Sequence, residues 1–206
     1  MKNLLLVGGG GHARACIDVL LAGGQWGIWG IIEKDGHVGS SETGYPVLGT
    51  DSDFHKLINE ATPVLISVGQ LPSPALRRDL YRRALNSGAI FPVIQSPRAY
   101  ISPTAMVGLG TIVMHGALVN TGARVGEQSI INSRALIEHD AVVGDFCHVS
   151  TGALINGGVT VGEGSFIGSG AVVREGVRIG DEVVVGAGAR VLMDLPSGSV
   201  LKSGSS

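Results

Sequence analysis

Aromatic side chains are scarce, at 4% of 206 residues, so any hydrophobic core has to be aliphatic, and a 44% hydrophobic content is enough to build one. Two cysteines, Cys16 and Cys147, are too few for a disulfide framework and fit a reducing cytoplasm as small buried hydrophobes. Charge is also thin. Fifteen Lys and Arg against seventeen Asp and Glu give a formal −2 with no run of either sign, which excludes a basic stripe for nucleic acid and a charged tail. Long apolar runs are missing as well: MKNLLLVGGGG holds four apolar residues before the glycines, too few for a signal-peptide core or a membrane span. These absences describe a cytoplasmic protein with no nucleic-acid partner and no membrane insertion.

What the chain has in quantity is a period of six. Ile or Val stands at 101, 107, 113, 119, 125, 131, 137, 143, 149, 155, 161, 167, 173, 179, 185 and 191, sixteen times with no insertion or deletion. Four residues after each of these positions up to 185 the side chain is small or slender, as at Ala105, Thr111, Ala117, Ser129, Cys147 and Ala189. A hexad fits neither a 3.6-residue helix nor a hairpin meander; it is the signature of a parallel β-helix. One β-branched residue per hexad points inward beside a small one, and coils stack over a narrow aliphatic core. Gly108, Gly126, Gly144, Gly162, Gly168, Gly180 and Gly186 are expected to supply conformational freedom at the turns. Three hexads make a triangular coil of eighteen residues, and ninety residues make five coils, about 24 Å tall at a strand spacing of about 4.8 Å. The pattern resembles the left-handed β-helix of the hexapeptide-repeat acyltransferases. The left-handed sense is implied by that likeness alone, because the general crossover rule favours the right hand. The same likeness implies a homotrimer that binds acyl-CoA in grooves between neighbouring prisms; a passive structural solenoid is the plainer alternative.

Residues 1–95 lack the hexad and alternate apolar runs with helical stretches. Leu4 to Val7, Ile28 to Ile32, Val64 to Val68 and Phe91 to Ile94 read as strands, and His12 to Ala22 and Ala75 to Ser87 as helices, which predicts a small Rossmann-like βαβ domain with a parallel sheet. A segment with Pro92, Pro97 and Pro103 then leads into a β-helix domain over 96–200, with a tail over 201–206. Between the first strand and first helix, Gly8 to Ala13 matches G-x-G-x-x-A, in which bare backbone N–H groups of Gly9, Gly10 and Gly11 at a helix N-terminus can seat a diphosphate. Glu33 ends the second strand, where it can accept hydrogen bonds from a ribose or base. NAD, FAD, a nucleotide sugar and a plain tight turn all fit this motif. Ninety residues are half a full dinucleotide fold, so a mononucleotide diphosphate fits the size better.

GGGGHAR at the N-terminus, GIIEKD at the second strand and NSRALIEHDAVVGDFCHVSTGALINGGVTVG within the hexads are together similar to the sialic-acid O-acetyltransferase and bacillosamine N-acetyltransferase family, over essentially the whole chain. The resemblance implies that the first domain holds the nucleotide of a UDP-sugar, with Gly9, Gly10, Gly11, His12, Glu33, Lys34 and Gly69 as the expected contacts, and that the β-helix holds acetyl-CoA. One departure stands out. The G-x-P-A-[KR] stretch that commonly follows the last coil of hexapeptide acetyltransferases is missing between Pro196 and Ser206, where outer CoA contacts would lie.

Acetyl transfer needs a base titrating near neutrality and donors for the oxyanion, which points to histidine. Of six, His37 sits in a polar loop, His55 in a surface helix, and His12 beside the glycines. His115 shares the hexad phase of His139 but lies twenty-four residues away, one coil plus one face. His139 is flanked by Glu138 and Asp140, so a carboxylate is at hand to fix its tautomer, and counting in eighteens puts Thr121, Gly157 and Glu175 in its column, with the Gly157 amide available for the thioester carbonyl. By the resemblance His139 is the base, Asp140 its partner, Asn132 a polar active-site residue, and His148 a contact of acetyl-CoA, with Ser169 and Ala187 completing that set. Asn132 and Asn156 also suit turns that need left-handed backbone. The expected reaction is metal-free transfer of acetyl from acetyl-CoA to the 4-amino group of a UDP-4-amino-4,6-dideoxy-N-acetylhexosamine, without a covalent acyl-enzyme, for bacterial glycan biosynthesis. Competing readings are O-acetylation of a sialic acid or other sugar hydroxyl, N-acetylation of a GDP- or dTDP-linked 4-amino sugar, a non-catalytic nucleotide-binding solenoid, and a nicotinamide enzyme.

Overall fold

The computed structural model describes residues 2–34, 43–70 and 72–204; His37, and Asp35 of the GIIEKD stretch, lie outside them. The chain forms two compact units, one of Met1–Gly69 with Ala75–Ile94, the other of Gln70–Pro74 with Gln95–Ser206. The segment Gln70–Pro74 therefore interrupts the first unit and clusters with the second.

In the first unit β1 (Lys2–Val7), α1 (Gly11–Gly23), β2 (Trp26–Glu33), β3 (Val47–Thr50), α2 (Phe54–Leu57), β4 (Val64–Ile66) and α3 (Ala75–Asn86) follow one another. The sheet is parallel with order β3-β2-β1-β4. Leu4 to Val7 in β1 and Val64 to Ile66 in β4 are buried, and one core cluster joins Leu5, Val7, Ile32, Phe54, Val64, Ile66, Leu80, Ala84 and Phe91. The apolar stripe of α1 buries Ala13, Cys16, Ile17, Val19 and Leu20, the spacing of a helix packed on one side. Strand β3 was absent from the sequence reading. The strand read at Phe91 to Ile94 is corrected: Ile90 makes only a bridge to Pro63, and Ile94–Gln95 is instead the first rung of the β-helix.

The second unit is a left-handed parallel β-helix of two-residue strands in three stacked faces. Partners within the hexad run are eighteen residues apart, as in Leu136↔Leu154, Ile130↔His148 and Arg124↔Val142, and the last rung pairs sixteen apart, Val184↔Val200. Face one runs through Ile94–Gln95, Ile112–Val113, Ile130–Ile131, His148–Val149, Phe166–Ile167, Val184–Val185 and Val200–Leu201; face two from Tyr100–Ile101 to Arg190–Val191; face three from Met106–Val107 to Arg178–Ile179. Seven strands on face one span six steps, about 29 Å at about 4.8 Å per step, so the helix extends one rung beyond each end of the hexad run. From Val113 to Val191 the second residue of each strand points inward, and Val113, Val119, Val125, Ile131, Ile137, Val143, Val149 and Ile155 form a continuous core with the small residues.

The eighteen-residue column sorts those small residues. After face three the column reads Thr111, Ser129, Cys147, Ser165, and its hydroxyls tie coil to coil: Ser129 Oγ donates to the Gly144 carbonyl at 3.0 Å and accepts from the Cys147 N–H at 3.0 Å. The glycines at the second hexad position have a different cause from the one expected. Gly108 and Gly168 are not left-handed; a Cβ on Gly108 would stand 2.6 Å from Glu127 N, and one on Gly168 2.5 Å from Ala187 N, so they allow close approach of the next coil. Left-handed backbone falls two residues later, as at Gly116, Gly122, Gly152 and Gly158. Neither Asn132 nor Asn156 adopts it.

Candidate active site

At the corner after face two, strand Leu136–Ile137 runs into Glu138, His139 and Asp140. Asp140 is left-handed (φ 60°) in a slot that the adjacent coils fill with Gly122, Gly158 and Gly176. That conformation costs an ordinary L-residue about 1 kcal/mol or more, and Asp is among the few side chains that tolerate it. Its Oδ2 lies 3.0 Å from His139 Nδ1. Two glycines clear the space for this pair. A Cβ on Gly122 would stand 2.5 Å from Asp140 Oδ1, and one on Gly157 2.6 Å from His139 Nε2 and 2.7 Å from Cε1. With Nδ1–H donating to Asp140, Nε2 is the basic nitrogen, held over Gly157. Among the described residues the Gly157 N–H has no acceptor.

Glu138 braces the loop. Its Oε2 accepts from the His139 N–H at 3.0 Å and from Asn120 Nδ2 at 2.9 Å, while Asn120 Oδ1 accepts from the Thr121 N–H at 2.8 Å. The His139 N–H and the Asn120 amide hold the Glu138 carboxyl below the usual range. The hydrogen bond to Asp140 raises the His139 pKa, aided by the charges of Asp140, Glu138 and Glu175. The His139 and Asp140 side chains are 56% and 73% exposed in the chain alone, so a substrate can reach Nε2.

A second constellation occupies face one and the corner after it. His148 is buried, with Nδ1 3.0 Å from the Gln70 carbonyl and Nε2 3.1 Å from Asn132 Nδ2. The carbonyl can only accept, so Nδ1–H donates to it and Nε2 accepts from the Asn132 amide, which makes His148 a neutral imidazole with both nitrogens engaged. Asn132 Oδ1 accepts from Ser133 N at 2.7 Å, consistent with that orientation. Phe166 meets the His148 ring edge-on at 5.2 Å, and Gln70 is anchored through Nε2 to the Gly164 carbonyl at 3.2 Å. Ser169 bonds Ser150 at 2.9 Å on the same corner as Asn132, and Ala187 follows Ser169 one coil on. His115 sits on this corner too, with Nδ1 2.5 Å from Ser96 Oγ, as the count predicted. Within one chain, then, His139, Asp140, Glu138 and Gly157 come together, while Asn132, His148, Ser169 and Ala187 lie on face one and the corner that follows it.

In the first unit Gly8 is left-handed (φ 101°) and a Cβ on it would meet Val68. The Gly9 N–H donates to Glu33 Oε2 at 2.9 Å and the Lys34 N–H to Oε1 at 3.0 Å, so Glu33 pins the glycine loop as well as closing β2. Gly10 caps α1, Gly11 opens it, and the first turn carries no acidic residue, which leaves the positive helix end to an anion. His12 follows, next to Gly69, whose Cβ would lie 3.5 Å from that of His12. Arg77 is fully buried; its guanidinium donates to the Ile66 and Val68 carbonyls at 2.9 and 2.5 Å, fixing the end of β4 that leads to Gly69. Burial pushes its pKa down to about 10 and that of the Cys16 thiol up to about 12.

Sequence reading missed three contributors. Asn120 and Gly122 stand eighteen before Glu138 and Asp140, so the same count that found Gly157 could have found them. Gln70 carries no such signal, being 78 residues from His148. No group of three or more His, Cys, Asp or Glu among the described residues is placed to hold a metal, and no helix among them is long and apolar enough to cross a membrane.

A glycine-looped Rossmann-like unit joined to a left-handed β-helix with a His–Asp pair at one corner defines a hexapeptide-repeat transferase. The family model described as PglD N-terminal domain matches residues 3–84, and that of the bacterial transferase hexapeptide matches 158–192. No curated protein matches the chain. Among solved structures, the acetyltransferase domain of PglB from Neisseria gonorrhoeae FA1090, in complex with acetyl coenzyme A, is 33% identical over 98% of this chain and 96% of its own, with a TM-score of 0.89. PerB from Caulobacter crescentus, in complex with CoA and GDP-perosamine, is 33% identical over 98% and 95%, with a TM-score of 0.88. WeeI from Acinetobacter baumannii AYE shares the fold at 23% identity and a TM-score of 0.85. The chain belongs to this family of sugar N-acetyltransferases, which join a PglD-type N-terminal domain to hexapeptide repeats.

Proposed function

We propose that the protein transfers acetyl from acetyl-CoA to the 4-amino group of a UDP-linked 4-amino-4,6-dideoxy-N-acetylhexosamine, in the cytoplasm and as a homotrimer. The observation that carries this reading is His139, with Nδ1 held by Asp140 and Nε2 poised over Gly157. The neutral amine attacks the thioester carbonyl, forming C–N; Nε2 of His139 takes the amine proton, and Asp140 stabilises the imidazolium. The Gly157 N–H faces the oxyanion. Collapse breaks C–S, and the imidazolium returns the proton to the departing thiolate. Glu138, braced by Asn120, keeps the His139 backbone in place, and His148, neutral and paired with Asn132, lies against acetyl-CoA beside Ser169 and Ala187. The glycine loop of Gly9, Gly10 and Gly11 seats the diphosphate, with His12, Glu33, Lys34 and Gly69 around it.

The trimer is supported by the outer side of face two, where Tyr100, Leu118, Leu136, Leu154 and Val172 stack one per coil as a partly exposed apolar ladder. His139 lies at one edge of that face and Asn132 at the other, so head-to-tail packing across it brings the two constellations of neighbouring copies together. A GDP-linked 4-amino sugar is the second reading, favoured by the likeness to PerB, whose structure holds GDP-perosamine. Thiol release from acetyl-CoA, measured across UDP-, GDP- and dTDP-linked 4-amino sugars and free or CMP-linked sialic acid, tests the proposal. Turnover on the UDP amino sugar at least tenfold above the rest is expected; preference for a sialic acid hydroxyl would overturn it.

A further inference from the structure

Non-glycine residues take the left-handed slot at Asp140 after face two and at Gln128, Phe146 and Glu182 after face three, and the corner after face one holds one such residue. Its left-handed slots are Gly116, Gly152, Gly170 and Gly188, with φ between 66 and 70°, but the slot between Gly116 and Gly152 is Arg134, with φ 58°. Arginine lacks the local hydrogen bonding that lets Asn or Asp accept this backbone, so a long cation is kept where glycine would be free of strain. Arg134 and Asp140 stand at opposite ends of one strand, Leu136–Ile137, in the same coil, and each is the exception in its column. One exception anchors His139; the other stands two residues after Asn132. A Cβ on Gly116 would lie 3.3 Å from Arg134 Cγ, so the coil below is cut away under the arginine stem. Arg98, in the same column two coils down and about 10 Å away, is exposed like Arg134, and neither has a carboxylate partner among the described residues.

We propose that Arg134, assisted by Arg98, binds a phosphate group of one of the two substrates. The proposal rests on the acetyl-transfer reading above and adds to it the residue that recognises substrate charge. A guanidinium fork fits phosphate oxygens two at a time. The phosphate could belong to the nucleotide-sugar diphosphate or to CoA, and the test separates them.

Arg134→Gly restores the residue of the column and removes the backbone strain, so the variant folds at least as well as the parent. Binding of UDP, GDP, CoA and dephospho-CoA is measured by calorimetry, alongside KM and kcat for both substrates, in the wild type, Arg134→Gly and Arg134→Lys. Loss of one phosphate contact weakens binding about tenfold or more. If the site takes the diphosphate, Arg134→Gly raises the nucleotide-sugar KM and the nucleoside-diphosphate Kd at least tenfold, beyond any fall in kcat. If it takes the CoA 3′-phosphate, the wild type but not the variant discriminates CoA from dephospho-CoA. Arg134→Lys, which keeps charge without the fork, falls between. The proposal is overturned if no Kd or KM moves more than about twofold, or if Arg134→Gly breaks the oligomer, which would make the arginine an ion-pair partner of a second copy. Because binding is read directly, a wild type that binds both ligands without transferring acetyl would sink the transfer reading and leave the phosphate site to be judged on its own.

Discussion

Gly157 and Gly158 are neighbours with opposite predicted sensitivities. A Cβ on Gly157 would stand 2.6 Å from His139 Nε2, whereas ordinary contact begins near 3.4 Å, so the imidazole has to retreat by about 0.8 Å or swing out to solvent. Either movement strains the 3.0 Å bond to Asp140 and misaims Nε2. Displacements of about 1 Å at a reacting group cost about a hundredfold in rate, or about 2.7 kcal/mol of barrier. Stability should barely change, because Gly157 is not left-handed and the displaced ring is more than half exposed. Gly158 is the reverse: it is left-handed (φ 65°) with nothing within 4 Å of its Cβ position, so Ala there strains the backbone by about 1 kcal/mol without touching His139. Gly157→Ala is therefore expected to lose about a hundredfold in kcat with thermal unfolding nearly unchanged. Gly158→Ala should unfold a few degrees lower with kcat within about threefold. Steady-state thiol release and differential scanning fluorimetry on both variants decide it. If Gly157→Ala keeps kcat within threefold of wild type, the ring position is irrelevant and the reasoning fails.

Asp140→Gly should relieve the left-handed strain and unfold at a higher temperature while losing activity, a stability gain at a functional position; equal or lower stability would show the strain is absent. Asp140→Asn should move the acidic limb of the kcat/KM profile to lower pH, because the base acts deprotonated and Asp140 raises its pKa; an unmoved limb would detach Asp140 from His139. Cys16 and Cys147 are fully buried, with pKa values pushed up to about 12, so neither should react with a disulfide reagent until the chain is unfolded, as titration in and out of urea will show. Arg77→Met leaves two buried carbonyls without their donor and should destabilise the first unit by about 3 kcal/mol in urea unfolding; a loss below about 1 kcal/mol would contradict the role given to that guanidinium.

The β-helix was legible because every interior position recurs, so a register error of one residue would expose the whole Ile/Val column. The same period puts Gly157 in the column of His139, one coil on, and counting down from Asp140 reaches Gly122; that the ring itself lies over Gly157 is visible only in the structure. Glycine roles were less legible, since composition does not distinguish a left-handed Gly116 from a close-approach Gly108; only the stacked backbone of the next coil does. Gln70 was illegible, because a loop carbonyl that sets a histidine tautomer depends on a contact across 78 residues and on no side-chain type at all. The first unit shows the usual blind spot, a short strand, Val47–Thr50, with only four residues of pattern to announce it. Where Ile94 belongs was decided by pairing rather than propensity: its β-branched character suits either sheet, and Ile112 provides the partner.

The central claim is that His139 removes the proton from the attacking amine. The most direct measurement is single-turnover acetyl transfer from acetyl-CoA to the preferred nucleotide amino sugar by His139→Gln, with oligomeric state and substrate affinities verified first. The rate is expected to fall by about 10²- to 10⁴-fold, with both substrates still bound. A rate within tenfold of wild type in that intact, substrate-binding variant would contradict that claim.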